Sequence, residues 1–192
     1  MARASGRPWC RGDLVALWRP RPDDRKAFLD AVEASRALHG EWVDPPRSVA
    51  AFGEFMRRTR VRDRMTYLVR RVDDARLVGV VNVNNITMGA FCNGSLGYYG
   101  FLDGTGGGAM TEGVELVLRQ CFTTLGLHRV EVNVQPGNVR SIALVERLGL
   151  RFEGFSPRML QIAGEWRDHN RYAITVEDWS SSSSTDRSEQ RE

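Results

Sequence analysis

The sequence predicts an α/β fold of the α+β kind: a mixed, mostly antiparallel sheet of about seven strands flanked by about four helices. Three observations lead there. Residues 67–102 read as short strands separated by turn residues, the rhythm of an antiparallel meander. Residues 95–176 run strand, glycine-rich loop, helix, strand, helix, strand. The 192-residue chain, 42% hydrophobic and 27% charged, is large enough for one sizeable core.

Leu14 to Trp18 form a first short strand. Asp23-Asp24 start a helix whose apolar positions Ala27, Phe28, Ala31, Val32 and Leu38 recur at helical spacing. The stretch 39–46, with Gly40 and the paired prolines Pro45-Pro46, is a loop. Ser48 is placed to cap a second helix carrying Val49, Phe52, Phe55 and Met56. Strands are expected over 67–69 and 77–83, with a turn at 73–76. The next strand ends at Leu102 and follows Asn93-Gly94, a dipeptide that suits a hairpin turn.

Beyond it, Thr111 to Leu125 is helical, with Val114, Val117, Leu118, Cys121 and Phe122 on one face and Gly126 as the stop. Val130 to Val134 alternates as a strand. Asn138 to Leu148 is a helix stopped by Gly149, and strands over 152–162 and 172–176 complete the sheet. Residues 1–12, polar with Gly and Pro, are expected to be a flexible segment ahead of one domain over 13–179. The Ser-rich tail 180–192 is too poor in hydrophobes to bury a core and is expected to be disordered.

Composition excludes several classes. The net charge of +3 comes from dispersed arginines, with no basic–aromatic pattern for specific nucleic-acid binding. Cys10, Cys92 and Cys121 are isolated, which predicts no metal site and suits a reducing cytoplasm. No apolar run approaches the roughly 20 residues that span a bilayer, so no membrane association is expected.

The richest segment is the glycine run at 104–108. Glycines allow positive φ and close backbone approach, and the helix behind them presents unpaired N–H groups to an anion. A Walker A loop needs a lysine that is absent here. The string Gly104-x-Gly106-x-x-Ala109 matches a dinucleotide fingerprint, but a meander, not a βαβ unit, precedes it. The remaining reading is a coenzyme A pyrophosphate site.

The segments 106–112, 125–132, 136–141, 146–154 and 164–169 occur in an order and spacing that resembles the GNAT N-acetyltransferases. The match is to the RimJ/RimL type, the ribosomal-protein N-terminal acetyltransferases, and covers roughly residues 14–178. The resemblance implies the GNAT fold with splayed central strands, and acetyl-CoA as cosubstrate. Phe101 and Leu102 would pair by their backbone with the pantetheine arm. The N–H groups of Gly106, Gly107, Gly108, Ala109, Met110 and Thr111 would hold the pyrophosphate. Asn138 would fix the pantetheine end, and Ser141 would serve the leaving thiolate, although both residues also suit a helix cap.

An α-amine has a pKa near 7.7–8.0, so a base has a modest task. Glu131, on the strand between the two ligand helices, is the candidate base; the alternative is an ion-paired face residue. A backbone N–H near Phe101 is the candidate oxyanion donor. His39, Glu41 and Trp42 lie in a segment resembling an acceptor-side lid. His169 stands either at the acceptor end or as a support of the last hairpin. Tyr98 and Tyr99 point to opposite faces of their strand, so only one is expected to face the site.

Asp103 stands where the glycine motif usually carries Arg or Gln, so its carboxylate must point away for a pyrophosphate to bind. Gly113 stands where relatives often have alanine. The expected acceptor is the α-amine of a protein or peptide. A small amine such as an antibiotic or polyamine is an alternative, as is a non-catalytic coenzyme A-binding regulatory module. A homodimer is left open.

Overall fold

The computed structural model describes residues 7–104 and 106–180. Its elements in order are β1 (Cys10–Arg11), β2 (Val15–Trp18), α1 (Arg25–Ala34), α2 (Arg36–His39), α3 (Val49–Arg58), β3 (Met65–Arg71), β4 (Leu77–Thr87), β5 (Asn93–Gly100), α4 (Ala109–Thr123), β6 (Arg129–Val134), α5 (Val139–Arg147), β7 (Arg151–Ile162) and β8 (Glu165–Thr175). Residues 176–180 add a helical turn. The segments 1–6 and 181–192, including most of the expected disordered tail, lie outside the described residues.

The strands form one sheet in the order β1-β2-β3-β4-β5-β6-β8-β7. Every pairing is antiparallel except β5 with β6. That parallel pairing runs only from Asn93 opposite Arg129 to Leu96 opposite Val132. Beyond Leu96 the two strands part, which is the expected splay. Gly97–Gly100 continue to pair with β4 alone, leaving their other backbone edge unpaired with a strand.

The sheet has eight strands where seven were expected. The extra one, β1, lies inside the segment expected to be flexible. It pairs with β2, and a long-range contact holds the turn between them: the Glu112 carboxylate of α4 accepts from Asp13 N at 2.5 Å and Leu14 N at 2.9 Å. A Cβ on Gly12 would fall 2.0 Å from that carboxylate, so a larger residue there would displace it. Trp9 reaches the same helix through Gln120, at 3.0 Å.

Two cores sit on opposite faces. α4 and α5 cover one, with Val117, Leu118, Leu144 and Val145 against Val81, Val130 and Val132. α1 and α3 cover the other, with Phe28, Val32 and Phe52 against Leu68, Val80 and Phe101. The single helix expected from Asp23 is broken at Ser35, whose hydroxyl bonds back to Ala31 O at 2.6 Å. Ser48 caps α3 as expected, accepting from Ala51 N at 3.1 Å.

Asn93-Gly94 is not the hairpin turn. Both residues are buried in β5, and the chain reverses at 88–92 around Gly89, whose φ is +80°. A Cβ on Gly94 would meet Leu127 at 2.9 Å. The glycine therefore serves close packing, a use that local sequence cannot separate from a turn.

Candidate active site

At the splay lies a cleft of about 670 Å³, bounded by α2, the end of β5, the glycine loop and α5. The glycine loop holds Gly106, Gly107 and Gly108 at φ of +81°, +61° and +76°. Other side chains rarely adopt this region, so the run buys a backbone path unavailable to them. Gly108 is the N-cap of α4 and provides no side-chain cap. The first N–H groups of a 15-residue helix thus open at the cleft, a favourable place for an anion. Gly106, Gly108, Met110 and Thr111 line the cleft; Gly107 and the buried Ala109 complete the loop between them.

Asn138 and Ser141 are brought to the opposite wall. Asn138 caps α5, accepting from Ser141 N at 3.1 Å. That leaves the Ser141 hydroxyl free to donate to Tyr98 Oη at 2.7 Å, while Tyr98 Oη donates to Ser141 O at 3.2 Å. Capping and a place on the cleft wall therefore coexist in one turn. Burial pushes the Tyr98 phenol up to about 12, partly offset by the bond from Ser141. The pair is a protonated hydroxyl couple throughout the neutral range.

Both tyrosines line the cleft, against the expectation of one. Tyr98 packs with the α4/α5 core and Tyr99 with the α1/α3 core. The cleft passes through the sheet where β5 leaves β6, so side chains from both faces reach it. Alternation along one strand could not reveal that gap.

Phe101 and Leu102 do not line the cleft. Phe101 is a core side chain, and its N–H donates to Val78 O at 2.7 Å. Leu102 N donates to Ser35 Oγ at 2.9 Å. Neither N–H is free for an oxyanion or an amide chain. The unpaired strand edge lies directly before them, at 97–100, and Tyr98, Tyr99 and Gly100 line the cleft in their place.

Glu131 also lies elsewhere. Its carboxylate accepts from Arg129 Nε at 3.1 Å, within a cluster where Arg129 also binds Glu153. It lines neither this cleft nor the smaller one beside it. The ion-paired alternative describes it, because alternate residues of β6 face opposite sides and Val130 and Val132 take the α5 side.

His39 is buried on the cleft wall, with Nε2 2.9 Å from Gly100 O. Burial pushes its pKa down, offset in part by that bond and reinforced by Arg47. Trp42 lines the main cleft and a second cleft of about 360 Å³, which Glu41, Gln135, Gly137, Trp166, Arg167 and Asp168 also border. Glu41 lies 3.6 Å from Arg167, and Asp168 accepts from Arg158 N at 2.7 Å. His169 is buried in the β7–β8 hairpin, 2.9 Å from Arg167 O, and lines neither cleft. It supports the hairpin.

Asp103 does point away. Its side chain is 60% exposed, 4.0 Å from Arg76, and absent from the cleft wall. Arg140 and Arg147 of α5, to which sequence reasoning gave no role, bring positive charge to the wall facing the glycine loop. Their exposed position in a helix pattern carried no signal of its own. Among the described residues no group of three His, Cys, Asp or Glu is placed to hold a metal ion.

An uncapped helix mouth behind a glycine loop thus lies beside an unpaired strand edge and a serine–tyrosine couple, donors for an anion next to an open edge for an extended amide chain. Comparison with known proteins gives the family. The family model described as Acetyltransferase (GNAT) domain matches residues 15–151, and the chain belongs to that family. The [Ribosomal protein uS5]-alanine N-acetyltransferase of Escherichia coli is 37% identical over 107 residues, 56% of this chain and 55% of that protein. The match thus spans about half the length of that curated relative.

Among solved structures, Mycobacterium smegmatis RimJ in complex with CoA-disulfide superposes with a TM-score of 0.78 at 30% identity. The superposition covers 85% of this chain and 83% of that one. Spermidine N-acetyltransferase from Vibrio cholerae, in complex with CoA and spermine, shares the fold at 18% identity and a TM-score of 0.74, covering 87% and 98% of the two chains.

Proposed function

We propose that the protein is an acetyl-CoA-dependent N-acetyltransferase acting on the N-terminal α-amine of a protein or peptide, by direct attack in a ternary complex. The observation that carries this reading is the Ser141–Tyr98 couple at the point where β5 leaves β6, facing the uncapped start of α4. The helix mouth and Arg147 suit the pyrophosphate, and the open edge at 97–100 suits the amide chain of pantetheine. The thioester sulfur then falls beside Ser141. Its hydroxyl, turned from Tyr98 to the sulfur, hydrogen-bonds the departing thiolate and supplies its proton, while Tyr98 Oη turns to donate to Ser141 Oγ.

The second cleft favours a peptide over a polycation as acceptor. Its acids are already engaged, Glu41 with Arg167 and Asp168 with the Arg158 N–H, while Trp42, Pro136 and Trp166 offer apolar walls. The named activity of the Escherichia coli relative supports the same acceptor class. Asp103 gives no support to a non-catalytic module, because its carboxylate faces Arg76 and not the glycine loop's cleft.

The test is free-thiol release from acetyl-CoA with a panel of peptides and small amines. Turnover is expected with free α-amine peptides and not with the same peptides blocked at the N-terminus. Turnover with polyamines or other small amines alone would overturn the acceptor, and no turnover with any amine would overturn the activity.

A further inference from the structure

Two residues of the cleft wall each carry a buried polar atom with no hydrogen-bond partner: His39 Nδ1 and Tyr99 Oη. Native proteins satisfy nearly all such atoms, and a catalytic role is one reason for an exception. The two rings pack edge to face, with centroids 5.6 Å apart. The His39 ring is also fixed in tautomer. Gly100 O can only accept, so Nε2 carries the proton and Nδ1 is a bare lone pair. Phe101 closes off the ring on another side, at 6.1 Å between centroids.

The strand parity sorts these groups. Tyr98 turns to the α4/α5 side, where Ser141 serves the sulfur. Tyr99 turns to the α1/α3 side, where His39 sits at the end of α2 next to Trp42. The polar groups on the second side have no task in donor binding.

We infer that His39 is the general base of the reaction, taking the proton of the acceptor nitrogen at Nδ1, with the Tyr99 hydroxyl beside it as hydrogen-bonding partner of the same nitrogen. This rests on the acetyl-transfer reading above. The amine lone pair forms a bond to the thioester carbon, and the C=O π pair moves onto oxygen. The nitrogen, now positively charged and more acidic than the free ammonium, gives its proton to Nδ1. The carbonyl re-forms, the C–S bond breaks with its pair on sulfur, and the sulfur takes a proton from the Ser141–Tyr98 couple. Solvent then removes the proton from His39 and restores one to the couple. Burial and Arg47 keep His39 neutral before the attack, the state this step requires.

The test compares His39→Gln and His39→Ala with the intact protein. Glutamine can keep an N–H donor toward Gly100 O but has no basic nitrogen. Turnover of His39→Gln is expected to fall about 100-fold or more, with acetyl-CoA affinity within about threefold. Added imidazole should restore turnover to His39→Ala in proportion to its concentration, and do nothing for Ser141→Ala.

His39→Gln turning over within about threefold of the intact protein would overturn the inference, as would a coenzyme-binding His39→Ala that ignores imidazole. Should His39→Ala fail to fold, His39→Gln decides alone. An intact protein that acetylates no amine sinks both this step and the proposed activity, whereas an active protein indifferent to His39→Gln sinks only this step.

Discussion

Gly113 of α4 lies against Val69 of β3 so closely that a Cβ built on it would stand 2.7 Å from Val69 Cγ1. Both residues are buried, and Val69 is fully enclosed. The helix-weakening glycine thus brings α4 down onto the sheet and sets the height of its N-terminus at the cleft.

Gly113→Ala should therefore destabilise the protein. Alanine gains about 1 kcal/mol in helix propensity. Overpacking a closed core costs about 1–3 kcal/mol, and Val69 is a short branched side chain with little room to yield. A lowered denaturation midpoint in urea checks this; a raised midpoint would mean that α4 shifts freely.

Asp103→Asn should leave acetyl-CoA affinity within about twofold, because the carboxylate is exposed, paired with Arg76 and screened by salt. Calorimetric titration at low and physiological salt reads it directly. A large gain in affinity would put the carboxylate at the phosphates.

Glu131→Gln should keep turnover within about twofold, since its carboxylate serves Arg129. A drop of about 100-fold with coenzyme affinity intact would return the base role to Glu131.

Burial lowers the pKa of His39 and of His169 below the usual 6.5. Below that value the unfolded chain binds more protons than the folded one, so stability rises with pH there. These two residues contribute fully above pH 6.5, and the contribution is lost on acidification through their lower folded-state values. Thermal melts between about pH 5 and 8 should show this loss, and His169→Gln should flatten it.

Much of this was written locally in the chain. The caps at Ser48 and Asn138, the alternation of β6 and the glycine loop rest on neighbours a few residues apart, and each stands where the pattern put it. What escaped depends on distant partners. β1 is two residues long and pairs with β2, and the turn between them is tied to Glu112, some 100 positions away. Asn93-Gly94 uses its missing Cβ for Leu127 instead of for a turn. Tyr99 reaches the cleft only because β5 and β6 separate, and Phe101 loses its N–H to Val78.

The proposed site stands or falls on Ser141→Ala, measured for acetyl-CoA binding and for thiol release on the same preparation. Thiol release should fall by about 10²-fold while the dissociation constant for acetyl-CoA moves by less than about threefold. Tyr98→Phe should reproduce part of the loss, and the double variant should be no worse than Ser141→Ala alone. Unchanged thiol release, or equal losses in binding and release, would make Ser141 a helix cap and contradict the assignment.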